Sequence, residues 1–191
     1  MTNKFNNTKI EREGLLNRYN FTDFFKGFDQ VPIIKKTFGE NVVEILNNLE
    51  VEFNSFRRGY MGVSDDDGHL VVNTHHLKNS DYKILYLDVV HELIHVKQFI
   101  DGKNLFDEDY EYVDRPTEIE AYQITVDEAK KIGMNDQEIF DYLQVDWIDD
   151  ESHKRLAKTV GIKIPSYGKS DRGTAIAKLE KNNDEITELD S

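Results

Sequence analysis

The chain has 191 residues, of which 38% are hydrophobic and 32% charged, and its net charge of −13 argues against general binding of nucleic acid or anionic membranes. It contains no cysteine, which excludes disulfide bonds, thiol nucleophiles and cysteine metal ligands, so a metal site would have to use histidine and carboxylate. There is no N-terminal apolar segment, and no apolar run approaches the roughly 18 residues of a membrane span, so we expect a cytoplasmic protein without a signal peptide.

The first part of the chain predicts helices. Thr8 and Glu11 have the spacing of a capping box, which favours a short helix over residues 8–18. Residues 32–49 keep a helical apolar period, with a break expected at Gly39.

Four aromatic residues lie between these predicted helices, and we expect them to pack a helix onto the main body of the protein. They are Phe21, Phe24, Phe25 and Phe28. We interpret residues 1–39 as an N-terminal helical extension, residues 40–164 as the main domain, and residues 165–191 as a linker with a charged C-terminal tail.

The next part of the chain predicts a small sheet. Residues 49–56, 57–63 and 69–75 have strand character, and Asp65–Gly68 is typical of a hairpin turn. We therefore expect an antiparallel or mixed sheet of about three strands.

The motif His91-Glu92-Leu93-Ile94-His95 lies within a long apolar segment that predicts a central, buried helix. Ser80 and Asp81 are suitable N-caps for this helix, and Gly102 is a suitable stop.

Residues four apart lie on the same face of a helix, so His91 and His95 can offer two imidazoles to one metal ion. Glu92 lies beside them and can act as the general base on a water molecule that the metal activates. This combination is the zincin signature. The alternative is a core helix that carries two incidental histidines, but a buried His-Glu-His cluster without a metal would be costly to desolvate.

A catalytic zinc ion needs a third protein ligand beside two histidines. A helix predicted to begin near Pro116 offers Glu118 and Glu120, which lie about 200° apart around a helix and cannot both face one ion. Glu118 lies in the first turn, where the helix dipole alone favours a carboxylate. Glu120 lies beside the small Ala121, which would allow close approach to the motif helix. We therefore expect Glu120 as the third ligand, with His153 as a further alternative.

These residues resemble the gluzincin metallopeptidases. The motif His91-Glu92-x-x-His95 is followed by a glutamate on a separate helix, within residues 118–121. The short separation between the second histidine and that glutamate makes the chain similar to the minigluzincins over roughly residues 40–132. The third histidine of the metzincin pattern does not follow the motif.

The resemblance implies an α+β, zincin-like fold, in which the sheet packs on the central motif helix and further helices flank it. It implies a zinc metalloendopeptidase that acts on peptide or protein substrates. It also implies that the strand just before the motif helix, residues 69–75, forms the edge of the sheet and pairs with the backbone of an extended substrate. By that resemblance, His91, His95 and Glu120 bind Zn²⁺, and Glu92 is the catalytic base. In some minigluzincins a terminal segment plugs the cleft, so the tail, residues 165–191, is either inhibitory or simply flexible.

One departure from the gluzincin pattern leaves two roles open. The pattern has an aspartate four residues after the ligand glutamate, where this chain has Ile124. The carboxylate that orients a zinc histidine must then come from another position; the candidates are Asp88, Glu118 and Asp127. The donors that could stabilise the transition state are Tyr110, Tyr112, Tyr122 and His153.

Two other functions compete with an active peptidase. The first is a catalytically weak or inactive zincin-fold module with a regulatory or binding role, or a latent form of the enzyme. The second is a helical scaffold without a metal. Metal content and hydrolysis together distinguish these alternatives.

Overall fold

A computed structural model describes residues 8–12, 18–55 and 59–165 of the chain. The strands are β1 (Lys9–Ile10), β2 (Arg18–Asn20), β3 (Phe25–Lys26), β4 (Glu50–Asn54), β5 (Met61–Val63) and β6 (Leu70–Asn73). The α-helices are α1 (Phe21–Phe24), α2 (Pro32–Phe38), α3 (Val42–Asn48), α4 (Thr74–Asn79), α5 (Tyr82–Ile100), α6 (Pro116–Lys131), α7 (Asp136–Tyr142) and α8 (Asp150–Thr159). The fold is therefore α+β, as expected.

The main sheet is mixed and has the strand order β2-β4-β6-β5. β4 and β6 are parallel, while β2 and β5 run antiparallel to their neighbours. The predicted hairpin between β5 and β6 is present, and Gly68 adopts a φ of 78° in its turn. The strand over 69–75 is shorter than expected, because α4 begins at Thr74 with the Asn73 side chain as its cap.

The expectation that residues 69–75 form the edge of the sheet is wrong. β6 lies between β4 and β5, so both of its sides are hydrogen-bonded. The edge strands are β2 and β5, and β5 contacts α5. The expectation rested on the position of this strand just before the motif helix, which does not determine the order of strands, whereas the apolar sequence of β6 suits the interior of a sheet.

The predicted helix over residues 8–18 is wrong where the chain is described. Lys9 and Ile10 form β1, which pairs with β3, and the Thr8 hydroxyl bonds Tyr82 instead of capping a helix. Residues 13–17 lie outside the described residues. A local capping pattern cannot anticipate this pairing, because the partners lie far along the chain.

Three other expectations for the first half of the chain are confirmed. The helix over residues 32–49 is interrupted at Gly39, where φ is 64°. Phe21, Phe25 and Phe28 are fully buried, and Phe28 stacks on Tyr86 of α5 with ring centroids 5.7 Å apart. The aromatic residues therefore pack the N-terminal elements onto the motif helix.

The motif helix α5 agrees closely with the sequence. Asp81 is its N-cap and accepts a hydrogen bond from the amide of Lys83, and Gly102 follows its end with a φ of 74°. Most of its side chains are buried, which explains its continuous apolar sequence. α5 packs against α6, and a buried hydrogen bond of 2.8 Å from the Tyr86 hydroxyl to Glu128 joins the two helices.

The chain divides into two compact units after Met134, whereas the sequence suggested boundaries after residues 39 and 164. All elements from β1 to α6 belong to the first unit, and α7 and α8 belong to the second. The predicted tail beyond residue 165 lies outside the described residues. No helix in the described ranges has the length and hydropathy needed to cross a membrane.

Candidate metal centre

The two histidines of the motif face each other on α5. Their Nε2 atoms are 3.0 Å apart, and their rings meet edge to face with centroids 4.6 Å apart. His91 and His95 are both 5% exposed. The spacing of four residues has therefore placed two imidazole nitrogens side by side, as the motif predicts.

Glu118 completes this group from α6. Its Oε2 atom lies 3.4 Å from Nε2 of His91 and 3.4 Å from Nε2 of His95, and the residue is 7% exposed. Ligands bound tetrahedrally to zinc at 2.0–2.1 Å lie about 3.3 Å from one another. The three atoms thus have the mutual separations of the ligands of one metal ion.

The buried polar atoms also fit a cation. Oε2 of Glu118 is fully buried and has no hydrogen-bond partner among the described residues, although two imidazole nitrogens flank it. A buried carboxylate oxygen without a partner is costly unless a positive charge compensates it. The buried group of His91, His95 and Glu118 could therefore hold a metal ion.

Electrostatics within the group favour the ionised carboxylate. Burial opposes ionisation of Glu118, but the two histidines outweigh it and hold the pKa of this carboxyl well below its usual range. Burial also disfavours a charged His95 ring, yet the adjacent Glu118 carboxylate outweighs it and raises the pKa of His95 to about 9. The same carboxylate charge would attract a metal ion.

Glu120, the expected third ligand, lies outside the group. Its side chain is 46% exposed, and its Oε2 atom accepts hydrogen bonds from Lys103 at 2.6 Å and Gln98 at 2.7 Å. The structure therefore replaces Glu120 with Glu118 as the candidate third ligand, and Glu120 instead contacts Gln98, which lies behind His95.

The helical period of α6 explains why Glu118, and not Glu120, faces the two histidines. Ala121, Tyr122 and Thr125 are buried, and Glu118 lies three, four and seven residues before them on the same face. Glu120 shares the exposed face with Gln123 and Asp127. The helical spacing between Glu118 and these buried residues is visible in the sequence. The helix dipole alone, however, already explains a carboxylate in the first turn, so the position of Glu118 does not by itself mark it as a ligand.

Glu92 follows His91 on α5, lies next to the group of His91, His95 and Glu118, and is 8% exposed. Burial raises the pKa of the Glu92 carboxyl above its ordinary value, although the adjacent His91 and His95 act in the opposite direction. A raised pKa brings a carboxylate closer to the range in which it can accept and return a proton near neutral pH.

Tyr122 and Tyr112, two of the four candidate donors to the transition state, lie close to the candidate metal ligands. The Tyr122 ring packs on His91 with centroids 4.3 Å apart, and its hydroxyl lies 2.9 Å from that of Tyr112. Burial, together with the charges of Glu118 and Glu92, raises the pKa of both tyrosines, which remain neutral donors. Tyr122 is in phase with Glu118 on α6, a relation that the sequence already contained.

The other two candidate donors have different surroundings. Tyr110 is 46% exposed in the loop before α6. His153, the alternative ligand, belongs to the second unit, where its Nε2 atom lies 2.7 Å from the carbonyl oxygen of Phe140. This contact gives the buried ring a structural role.

The predicted orienting carboxylates make other contacts. Asp88 lies 2.7 Å from Nε2 of His76, whose Nδ1 faces the Ser80 hydroxyl at 2.8 Å. Asp127 lies on the exposed face of α6. Nδ1 of His91 is buried without a hydrogen-bond partner in the described ranges.

Gln98, which sequence reasoning missed, fills the orienting role at the other histidine. Its Oε1 atom lies 2.7 Å from Nδ1 of His95, and the residue is 2% exposed. The available signal was a polar side chain three residues after His95 in an otherwise apolar helix, which places both on one face.

Comparison of the chain with protein-family models, with curated proteins and with solved structures finds no match.

Proposed function

We propose that the protein is a zinc-dependent peptidase, and that it uses His91, His95 and Glu118 as ligands and Glu92 as general base. One observation carries the proposal: two imidazole nitrogens and a buried carboxylate oxygen converge beside a second buried carboxylate. Three protein ligands with a neighbouring carboxylate are the composition of catalytic zinc sites, which keep one position for water or substrate.

The donor set suits zinc better than magnesium or calcium. Two imidazoles and one carboxylate suit zinc, whereas magnesium and calcium prefer sites made of oxygen ligands. The separations between the ligand atoms also agree with tetrahedral zinc. A zincin-like arrangement, with a mixed sheet beside the motif helix, is part of the same proposal.

The side chains of the site have distinct tasks in this proposal. A bound zinc ion would polarise the scissile carbonyl and lower the pKa of water. Glu92 accepts the proton of the attacking water and returns it to the leaving nitrogen, a transfer that its raised pKa supports. The hydroxyl groups of Tyr112 and Tyr122 are the donors that we propose for the negative charge that develops on the substrate oxygen.

The edge strand β5 is the proposed binding surface for the substrate backbone. One of its sides has no neighbouring strand among the described residues, and it contacts α5, which carries the motif. An extended peptide can add to such an edge through main-chain hydrogen bonds. These bonds depend little on side chains, so the proposed substrate class is extended segments of polypeptide.

The decisive experiment combines metal analysis with Glu92→Gln. We expect close to one zinc ion per chain in both proteins, because Glu92 is not a ligand. The variant should lose cleavage of an unfolded casein-like substrate by about 10²–10⁴-fold, the usual contribution of a general base. Undiminished cleavage by Glu92→Gln would eliminate the proposed role of this residue.

A second candidate function, a zincin-fold module without catalysis, is favoured by the burial of the site. The three ligands and Glu92 are each no more than 8% exposed, which limits access for a substrate. Bound zinc together with no hydrolysis of casein or of the chain itself would support this candidate over the peptidase.

A further inference from the structure

We propose that Gln98 is a positioning residue, which holds the His95 ring in the tautomer that leaves Nε2 free to bind the metal. This inference rests on the proposed metal centre. Gln98 offers no ligand atom to the ion, but it contacts His95 on the side of the ring opposite to Nε2.

The orientation of the Gln98 amide is determined by its neighbours. Its Nε2 atom donates to the carbonyl oxygen of Thr117 at 3.0 Å and to Oε2 of Glu120 at 2.7 Å. Both partners are acceptors, so the amide nitrogen must face them. The amide oxygen is then left to face Nδ1 of His95 at 2.7 Å.

This orientation determines the tautomer of His95. An amide oxygen only accepts hydrogen bonds, so Nδ1 of His95 must carry the proton that it donates. A neutral imidazole has one protonated nitrogen, so the lone pair is on Nε2, the atom that faces Nε2 of His91 and Oε2 of Glu118. Of the two neutral tautomers, Gln98 thereby favours the one that can bind a metal through Nε2.

Glu120 and Lys103 extend the network to the surface. Lys103 donates to the same Glu120 oxygen that accepts from Gln98, at 2.6 Å. Lys103 and Glu120 are more than 40% exposed, whereas Gln98 is buried. These contacts therefore join a solvent-exposed ion pair to the proposed ligand His95, and Glu120 takes part in them from outside the proposed ligand group.

The test is Gln98→Leu in the full chain, with Gln123→Leu on the exposed face of α6 as the matched control. Zinc affinity is measured by competition with a chromogenic chelator. We expect Gln98→Leu to weaken zinc binding by about 10–100-fold, the effect of removing a partner that orients a metal ligand. The control should bind zinc like the unaltered protein.

A second readout separates positioning from general stability. Nitrogen NMR shifts of the zinc-loaded protein report which nitrogen of His95 binds the ion. We expect Nε2 in the unaltered protein and a mixture of Nε2 and Nδ1 in Gln98→Leu. A purely structural role would lower the urea midpoint without changing the nitrogen that binds.

The exchanged pair Gln98→Glu with Glu120→Gln tests the contacts of position 98 with His95 and with position 120 if Gln98→Leu does not fold, whereas the carbonyl oxygen of Thr117 loses its donor. The carboxylate introduced at position 98 would still accept from His95, and the amide introduced at position 120 would donate to the second oxygen of that carboxylate. We therefore expect zinc affinity to stay within about tenfold of the unaltered protein. A larger loss in this pair, or unchanged affinity and coordination in Gln98→Leu, overturns the inference. Absence of zinc binding by the unaltered protein would instead reject the proposed function.

Discussion

Two glutamates on α6 that are two positions apart have opposite environments. Glu118 is buried against both imidazoles, whereas Glu120 lies at the surface beside Lys103. We expect Glu118→Gln to weaken zinc binding by more than about 100-fold, because a neutral amide replaces an anionic ligand. Glu120→Gln should cost less than about tenfold, since its amide oxygen can still accept from Gln98. Titration with zinc in the presence of a competing chelator measures both.

The two variants form a matched pair, because each removes one carboxylate charge from the same helix. Equal losses of affinity would show that net charge, and not ligation, determines binding. A larger loss in Glu120→Gln than in Glu118→Gln would return the third ligand to Glu120.

Local spacing was enough to place some residues of the site and not others. His91, Glu92 and His95 follow from one helical turn, so the sequence places them together. His76 lies outside the motif, yet its side chain is only 9% exposed and its Nε2 atom lies 2.7 Å from Asp88 of α5. That contact depends on how α4 packs on α5, which no local pattern contains.

Among the secondary-structure elements, the hairpin turn before β6 and the end of α5 are in contact through Gly68. A Cβ atom on Gly68 would lie 2.4 Å from the Phe99 ring, and its φ of 78° is unfavourable for other residues. Gly102 has a similar φ of 74°, but apart from its chain neighbours no residue in the described part of the chain lies within 4 Å of a Cβ there. A substitution at Gly102 therefore tests backbone strain alone, whereas a substitution at Gly68 adds a steric conflict with Phe99.

We expect Gly102→Ala to cost about 1 kcal/mol of stability, the strain of a positive φ. Gly68→Ala should cost a further 1–3 kcal/mol or so, because the Phe99 ring must move within a packed interface. Urea unfolding, monitored by circular dichroism, measures both free energies of unfolding. Equal costs at the two positions would mean that the Phe99 ring adjusts freely.

The elements that the sequence predicted well are those with local causes. The caps of α5, the break at Gly39 and the hairpin turn each depend on a few adjacent residues. β1, β2 and the interior position of β6 depend on partners far along the chain, such as Arg18 opposite Glu52. Capping and periodicity carry no information on such pairings, and the order of strands was for that reason the weakest part of the prediction.

For the molecule as a whole, the proposed metal centre links two helices that carry much of the first unit. An ion that binds only the folded chain stabilises it by about 4 kcal/mol when free zinc is 1,000 times the dissociation constant. For a chain of this size we expect the unfolding temperature to rise by roughly 10 °C over that of the chelated protein. Calorimetry with zinc and with EDTA measures the difference.

Glu118→Gln provides the control for this measurement, because it removes a ligand and retains the shape of the side chain. Its unfolding temperature should barely respond to zinc. The same rise in the variant and in the unaltered protein would place the stabilising ion elsewhere in the molecule.

The depth of the three ligands also governs how quickly an ion can be exchanged. An ion held by side chains that are only 5–7% exposed would leave when α5 and α6 separate locally, and the rate of such openings would then limit the exchange. Dissociation should then be slow at ambient temperature and should accelerate in mild denaturant. An ion captured while the chain folds would stay in place through later changes of buffer, and the metal content of the protein would record the supply at the time of its synthesis.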